Sequence, residues 1–192
     1  MYRLLIVLVT YAAGHGLLHA QNVDDYRSAA TGTWQTTSTW ERYSGSTWDP
    51  AVAAPDSNAG LITVQAGHTV TVDADLGVDS VNVLPGGVLV IDASATVTVP
   101  FNNDGMGIDV DSLGMLEVNG TIVCQGLVSG SESSITFNDG SLYDHARNEG
   151  SVPRSLWATG STMRLSGVSS TTPDNMSQDF YNLVIVFLQA LE

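Results

Sequence analysis

The densest group of titratable side chains in this sequence is Tyr143-Asp144-His145-Ala146-Arg147-Asn148-Glu149. An acid, a base and a cation this close together are the parts needed to take a proton from an acidic sugar or to protonate a glycosidic oxygen, with Arg154 nearby to hold a carboxylate. Asp144, His145 and Arg147 are therefore the candidate catalytic residues of a polysaccharide lyase or hydrolase. The same residues have a structural reading. Tyr143 and His145 alternate as two members of one strand face do, no second carboxylate pair stands at a recognisable spacing, and a formal charge of −14 repels acidic polysaccharides. The structural reading is preferred, so no catalytic residue is expected.

Two other groups could bind rather than react. Trp34, Trp40 and Trp48 alternate with Thr, Ser and Tyr43, the make-up of an aromatic platform for sugar rings, and are the candidate carbohydrate-binding residues. Indoles near a sequence boundary also serve to plug the open end of a core, and that use is preferred. Asn102-Asn103-Asp104-Gly105 with Asp109 and Asp111 gathers oxygen ligands suited to Ca²⁺, which makes Asp104, Asp109 and Asp111 the candidate metal ligands. Their spacing fits neither a twelve-residue calcium loop nor an acidic nonapeptide repeat, and Asn and Asp at this density make turns, so the expectation is no cofactor. Asn119-Gly120-Thr121 and Asn175-Met176-Ser177 match the N-glycosylation triplet, a pattern too short to carry weight. The sequence has no phosphate-binding loop, no dinucleotide fingerprint, no serine elbow and no Cys/His zinc spacing. A lone Cys124 forms no internal disulfide and reads as a small apolar core residue.

The elements that would position these residues are set by composition and pattern. A chain of 192 residues is one domain's worth. All six basic residues are Arg, against 20 acidic ones, which leaves no basic stripe to neutralise a phosphate backbone and excludes a nucleic-acid partner. Ser and Thr fill 38 positions while apolar residues make up 43%, a balance that suits short strands and turns and leaves enough Val, Ile and Leu for a core.

Residues 1–20 carry Arg3, the apolar run Leu4-Leu5-Ile6-Val7-Leu8-Val9 and a small-residue end at Leu18-His19-Ala20, the pattern of a cleavable secretory signal. The run is too short to span a bilayer, and Gly14, His15 and Gly16 break the apolar character soon after it. Cleavage after Ala20 leaves five Arg against the same 20 acids. The mature protein is expected to be secreted or at the cell surface, with no membrane span.

From residue 61 onward one phrase recurs: an apolar residue, turn-forming spacers, Gly, then apolar residues in alternation. It begins at Val64, Val83, Val110, Phe137 and Trp157, and its glycines are Gly67, Gly86, Gly114, Gly140 and Gly160, spaced by 19, 28, 26 and 20 residues. Period-two alternation over four to six positions marks strands, and no window shows the helical period. The predicted fold is all-β, a right-handed parallel β-helix of about five or six turns at roughly 20–28 residues each. The alternative is an antiparallel β-sandwich, for which Asn119-Gly120 and Asp139-Gly140 would serve as hairpin turns. In the solenoid, Val70, Leu89, Leu116, Tyr143 and Met163 would stack in one inward column and Val72, Ile91, Val118 and Leu165 in a second, with the glycines at the preceding corner. Parallel coils need covers at both ends. Residues 21–60, with three of the four Trp, are the expected N-terminal cap, and residues 61–192 the turns. The apolar run Asn182-Leu183-Val184-Ile185-Val186-Phe187-Leu188 has no cap after it, so the stack is expected to be incomplete there and to pair with further turns or another chain.

These residues also carry a resemblance. Tyr26-Arg27-Ser28, Gly32-Thr33-Trp34, Ser38-Thr39-Trp40-Glu41 and Ile62-Thr63-Val64-Gln65-Ala66-Gly67-His68-Thr69-Val70-Thr71-Val72-Asp73 resemble the opening of large secreted, surface-associated β-helix proteins of Gram-negative bacteria that use the type IX secretion route. The first segment also loosely resembles the glycine-rich G8 domain of some extracellular proteins. Gly140-Ser141-Leu142-Tyr143-Asp144-His145, Gly150-Ser151-Val152-Pro153, Gly160-Ser161-Thr162 and Phe180-Tyr181-Asn182-Leu183 are similar to a recurring segment of the same β-helix proteins. The resemblance implies a bacterial surface protein whose relatives run longer and end in a sorting domain, so the chain is expected to be the N-terminal part of something larger. It supplies no catalytic residue, and it implies a structural role for Tyr143 and His145. The expected function is an exported structural or adhesive module, with extracellular polysaccharide or cell-surface components as partners; a lyase or hydrolase and a carbohydrate-binding module are the alternatives.

Overall fold

The computed structural model describes residues 21–102, 105 and 107–186, so the expected signal segment and Asp104 lie outside the described residues. Nineteen short strands are present among them: β1 Tyr26–Ser28, β2 Gly32–Thr33, β3 Trp40–Tyr43, β4 Trp48–Pro50, β5 Ile62–Val64, β6 Thr69–Val72, β7 Leu76–Gly77, β8 Val81–Val83, β9 Val88–Ile91, β10 Thr96–Val99, β11 Ile108–Val110, β12 Met115–Val118, β13 Thr121–Cys124, β14 Val128–Ser129, β15 Ile135–Phe137, β16 Leu142–His145, β17 Leu156–Trp157, β18 Thr162–Leu165 and β19 Asn182–Ile185. A single 3₁₀ turn, Thr37–Thr39, is the one helical element among the described residues.

The strands form three sheets, which the chain visits in rotation. The first sheet runs β14-β11-β8-β5-β1-β3-β4, the second β17-β15-β12-β9-β6-β2 and the third β19-β18-β16-β13-β10-β7. Every pairing in the second and third sheets is parallel. Antiparallel pairing is confined to β1–β3 and β3–β4 at the N-terminal end. Asn119-Gly120 and Asp139-Gly140 make no hairpins: each lies at a corner where the chain passes from the second sheet to the third.

Register turns the alternation of the sequence into columns. In the second sheet Val70, Leu89, Leu116 and Ile135 align, as do Val72, Ile91, Val118, Phe137 and Trp157. In the third sheet Val97, Ile122, Tyr143 and Met163 form one row, and Val99, Cys124, His145 and Leu165 another. All are buried except half-buried Trp157, while the residues between them are half-buried on the outer face, Asp144 alone among them being buried. Each fully buried Val, Leu or Ile contributes roughly 1.5–3 kcal/mol, which is what holds strands this short.

The expected columns therefore need correction. Tyr143, Met163 and Leu165 belong to the third sheet, not beside Val70 and Val72. The physical reason is that one four-residue turn serves two corners. His68 donates its N–H to Gln65 O between the first and second sheets, and Ser141 and Ser161 donate theirs to Asn138 O and Ala158 O between the second and third. The third copy is also rephased. Gly67 N–H bonds Gly86 O and Gly86 N–H bonds Leu113 O, so Leu113, at φ 70°, occupies the left-handed slot that Gly67 and Gly86 fill at φ 79° and 81°. Gly114 aligns instead with Gly87, where the corner is so tight that an added Cβ would lie 2.5 Å from Val83 O.

Within residues 21–60, β1 and β2 join the first two sheets beside β5 and β6. Trp34 then continues the second sheet, its N–H donating to Thr71 O.

Candidate functional site

Strand β16 decides the fate of the titratable cluster. Its alternation turns Tyr143 and His145 inward and Asp144 outward, in register with Arg164 of β18. Arg164 Nη2 donates to Asp144 Oδ2 at 2.7 Å, an ion pair between paired parallel strands, and this bond holds the Arg164 guanidinium more firmly protonated than usual. His145 is 0% exposed, and its Nε2–H donates to Glu149 O at 2.7 Å, which leaves Nδ1 as an unpartnered buried acceptor. Burial pulls the imidazole below its ordinary value, partly offset by the Glu149 carbonyl. Burial likewise drives the Tyr143 phenol well up and the Cys124 thiol up; the two lie side by side.

Arg147 points elsewhere. Its Nη1 donates to Gly126 O at 3.2 Å and its guanidinium lies 4.9 Å from the Phe101 ring centroid. Asp144, His145 and Arg147 are thus near in sequence but face three different surroundings. Acid–base work on a polymer needs a proton donor that solvent-borne substrate reaches, and His145 offers none of its ring to solvent.

The three tryptophans also part company. Trp34 and Trp40 are buried edge-to-face, 4.8 Å between ring centroids, with Nε1–H groups donating to Pro55 O at 2.9 Å and Trp34 O at 2.7 Å. Both indoles have both polar and apolar needs met inside the protein. Trp48 alone is partly open, 5.2 Å from Tyr43 and 4.5 Å beneath the Arg27 guanidinium. Of the acidic candidates, Asp109 accepts a hydrogen bond from Ser129 Oγ at 2.5 Å, and among the described residues no three His, Cys, Asp or Glu gather as a metal site.

A nucleophile–base contact that sequence reasoning missed joins Ser28 Oγ to His68 Nδ1 at 2.9 Å. Ser28 also accepts the Gln65 N–H at 2.9 Å and is wholly buried, so the pair ties β1 to the corner after β5 rather than meeting substrate.

A cavity of about 600 Å³ forms a groove along the approach to β17. Glu132, Arg154, Leu156, Trp157 and Asn175–Asp179 line it. Its walls are tied by Gln178, whose Oε1 accepts the Ser155 N–H at 3.1 Å and the Trp157 Nε1–H at 3.4 Å, and whose Nε2 donates to Pro153 O at 3.1 Å and Asn175 O at 2.7 Å. Trp157 stacks on Phe137 at 4.3 Å and meets Phe180 at 5.0 Å. The signal for this groove was Arg154 and Trp157 in one short stretch; Gln178, 21 residues beyond Trp157, carried none.

No family model matches the chain, and no curated protein and no solved structure matches it.

Proposed function

We propose that the chain is a non-catalytic structural and adhesive module of a secreted or cell-surface protein, built as a right-handed parallel β-helix. The rotation of the chain through three sheets with parallel pairing supports the solenoid, and the handedness follows from the right-handed preference of parallel crossover connections. The charged, apolar and small-residue phases of residues 1–20 support export. The observation that carries the non-catalytic reading is the state of β16: Asp144 is held by Arg164 of the next coil, and His145 is enclosed and bonded to Glu149 O. The partners on this reading are extracellular polysaccharide or cell-surface components, met by the outward rows of Thr and Val on the sheets.

Two measurements test it. Expressed with its first 20 residues in a Gram-negative host, the protein is expected outside the cytoplasm with Gln21 as its first residue by mass spectrometry; a cytoplasmic chain retaining Met1 removes the export claim. Incubated with acidic and neutral polysaccharides, wild type and His145→Ala are both expected to release no reducing ends and no unsaturated products, while His145→Ala melts lower. Product formed by wild type and lost in His145→Ala at unchanged melting would replace this reading with the enzymatic one.

A further inference from the structure

We propose that the groove beside β17 binds a carboxylate-bearing saccharide, with Arg154 anchoring the carboxylate and Glu132 and Asp179 accepting hydrogen bonds from its hydroxyls. The other cations along the coils are all committed. Arg27 pairs with Glu41, Arg42 with Asp24 and Arg164 with Asp144, and Arg147 bonds Gly126 O and covers Phe101. Among the described residues Arg154 is the one Arg with no ion pair, hydrogen bond or ring contact, and it is exposed in this groove. Two carboxylates, Glu132 and Asp179, line the same groove, yet neither lies within the 4.0 Å of an ion pair with it. In a protein of charge −14, a cation left unsatisfied between acids is an unused fork of donors, suited to bidentate recognition of a carboxylate.

The rest of the groove selects the kind of carboxylate. Its volume of about 600 Å³ is in the range of small-molecule sites and far exceeds what a bare anion fills. Glu132 and Asp179 repel a second negative charge but accept from hydroxyls, so a ligand with one carboxylate and several hydroxyls suits the set where a polyanion does not. Leu156, 49% exposed, and the rim of Trp157 offer apolar surface to the C–H face of a sugar ring. The four bonds of Gln178 fix the walls beforehand, which lowers the ordering cost of binding. This site adds a ligand to the adhesive reading and is independent of it: solution binding by the purified chain does not depend on export, and product formation would overturn the non-catalytic reading without touching the site.

The test is isothermal titration of the full chain with glucuronic acid, its methyl ester, glucose and acetate. Glucuronic acid is expected to bind in the millimolar range or tighter, at least tenfold better than the other three. Arg154→Gln is expected to weaken it at least tenfold with unchanged melting, because Arg154 touches nothing that holds the fold. Glu132→Gln is expected to weaken glucuronic acid severalfold, since a hydroxyl loses a charged acceptor. Equal binding of the ester or glucose, acetate binding as tightly as glucuronic acid, tighter binding by Glu132→Gln, or no glucuronic acid binding at tens of millimolar would each overturn the proposal.

Discussion

The two ends of the sheets use the same device and finish it differently. At the N-terminal end Trp34 extends the second sheet beyond β6, Trp40 packs edge-on against it, both indole N–H groups find carbonyls, and the antiparallel β3–β4 hairpin continues the first sheet. At the C-terminal end Trp157 stacks on Phe137 and Phe180 leans on Trp157, but β17 is two residues long and, among the described residues, no strand pairs with its outer edge. In the third sheet Leu183 and Ile185 stand in register with buried Met163 and Leu165, yet are 47% and 49% exposed. Inward register alone does not bury a residue; a further layer packed over it does. In the third sheet one column runs Val99, Cys124, His145 and Leu165, so a buried imidazole lies among apolar side chains near the C-terminal end.

The largest expected effect separates the two indoles. Trp34→Ala removes a 1%-exposed ring from a closed site and should cost about 3–5 kcal/mol in urea unfolding. Trp157→Ala acts on a half-buried ring at the open end, where neighbours can relax, and should cost clearly less. Equal losses would mean that the C-terminal end is as firmly closed as the N-terminal one, and the contrast would fail.

The range of each signal decides how much of this the residues alone reveal. Val70, Leu89 and Leu116 are legible as one column because alternation and a glycine corner are local signals. Tyr143 and Met163 are misplaced by the same signals, since one turn with one Gly phase is used at two corners and nothing local says which sheet comes next. Leu113 hides the true phase of its copy by standing in a glycine slot. The Asp144–Arg164 pair depends on a strand-to-strand offset of 20 residues, fixed only once register is known. The groove draws on three separate stretches of chain, so only its individual residues are visible in sequence.

A smaller effect tests the buried imidazole near the C-terminal end. The His145 pKa is lowered on folding by burial, so as the pH falls the unfolded chain takes up the proton first. The stability that neutral His145 preserves is therefore complete above the usual imidazole value of about 6.5 and is lost as the pH falls through the lower folded value. Hydrogen exchange should show the amides of β16 and β18 losing protection below that pH before those of β1 and β5, and His145→Leu, with its apolar side chain, should abolish the difference. Uniform loss along the sheets, or first loss at the N-terminal end, would show that His145 does not set their sensitivity to acid.

The smallest effect lies between the two ends, at the corner joining β11 to β12, where a leucine occupies the left-handed slot. Leu113 is 82% exposed, so its side chain contributes little burial, while its φ of 70° carries the strain of roughly 1–2 kcal/mol that L-residues carry there. Leu113→Gly relieves that strain but adds conformational freedom to the unfolded chain, which takes back roughly 0.5–1 kcal/mol. The net expectation is stabilisation of about 0.5–1 kcal/mol, from the difference of those two terms, read as a higher urea midpoint at unchanged slope. On the proposed solenoid, in which neighbouring turns supply most of each other's stability, the gain should slow exchange in β9 and β12 and leave both ends as they were. A loss of stability would show that Leu113 packs in solution against something that holds it, and that the strain at this corner is offset by contact.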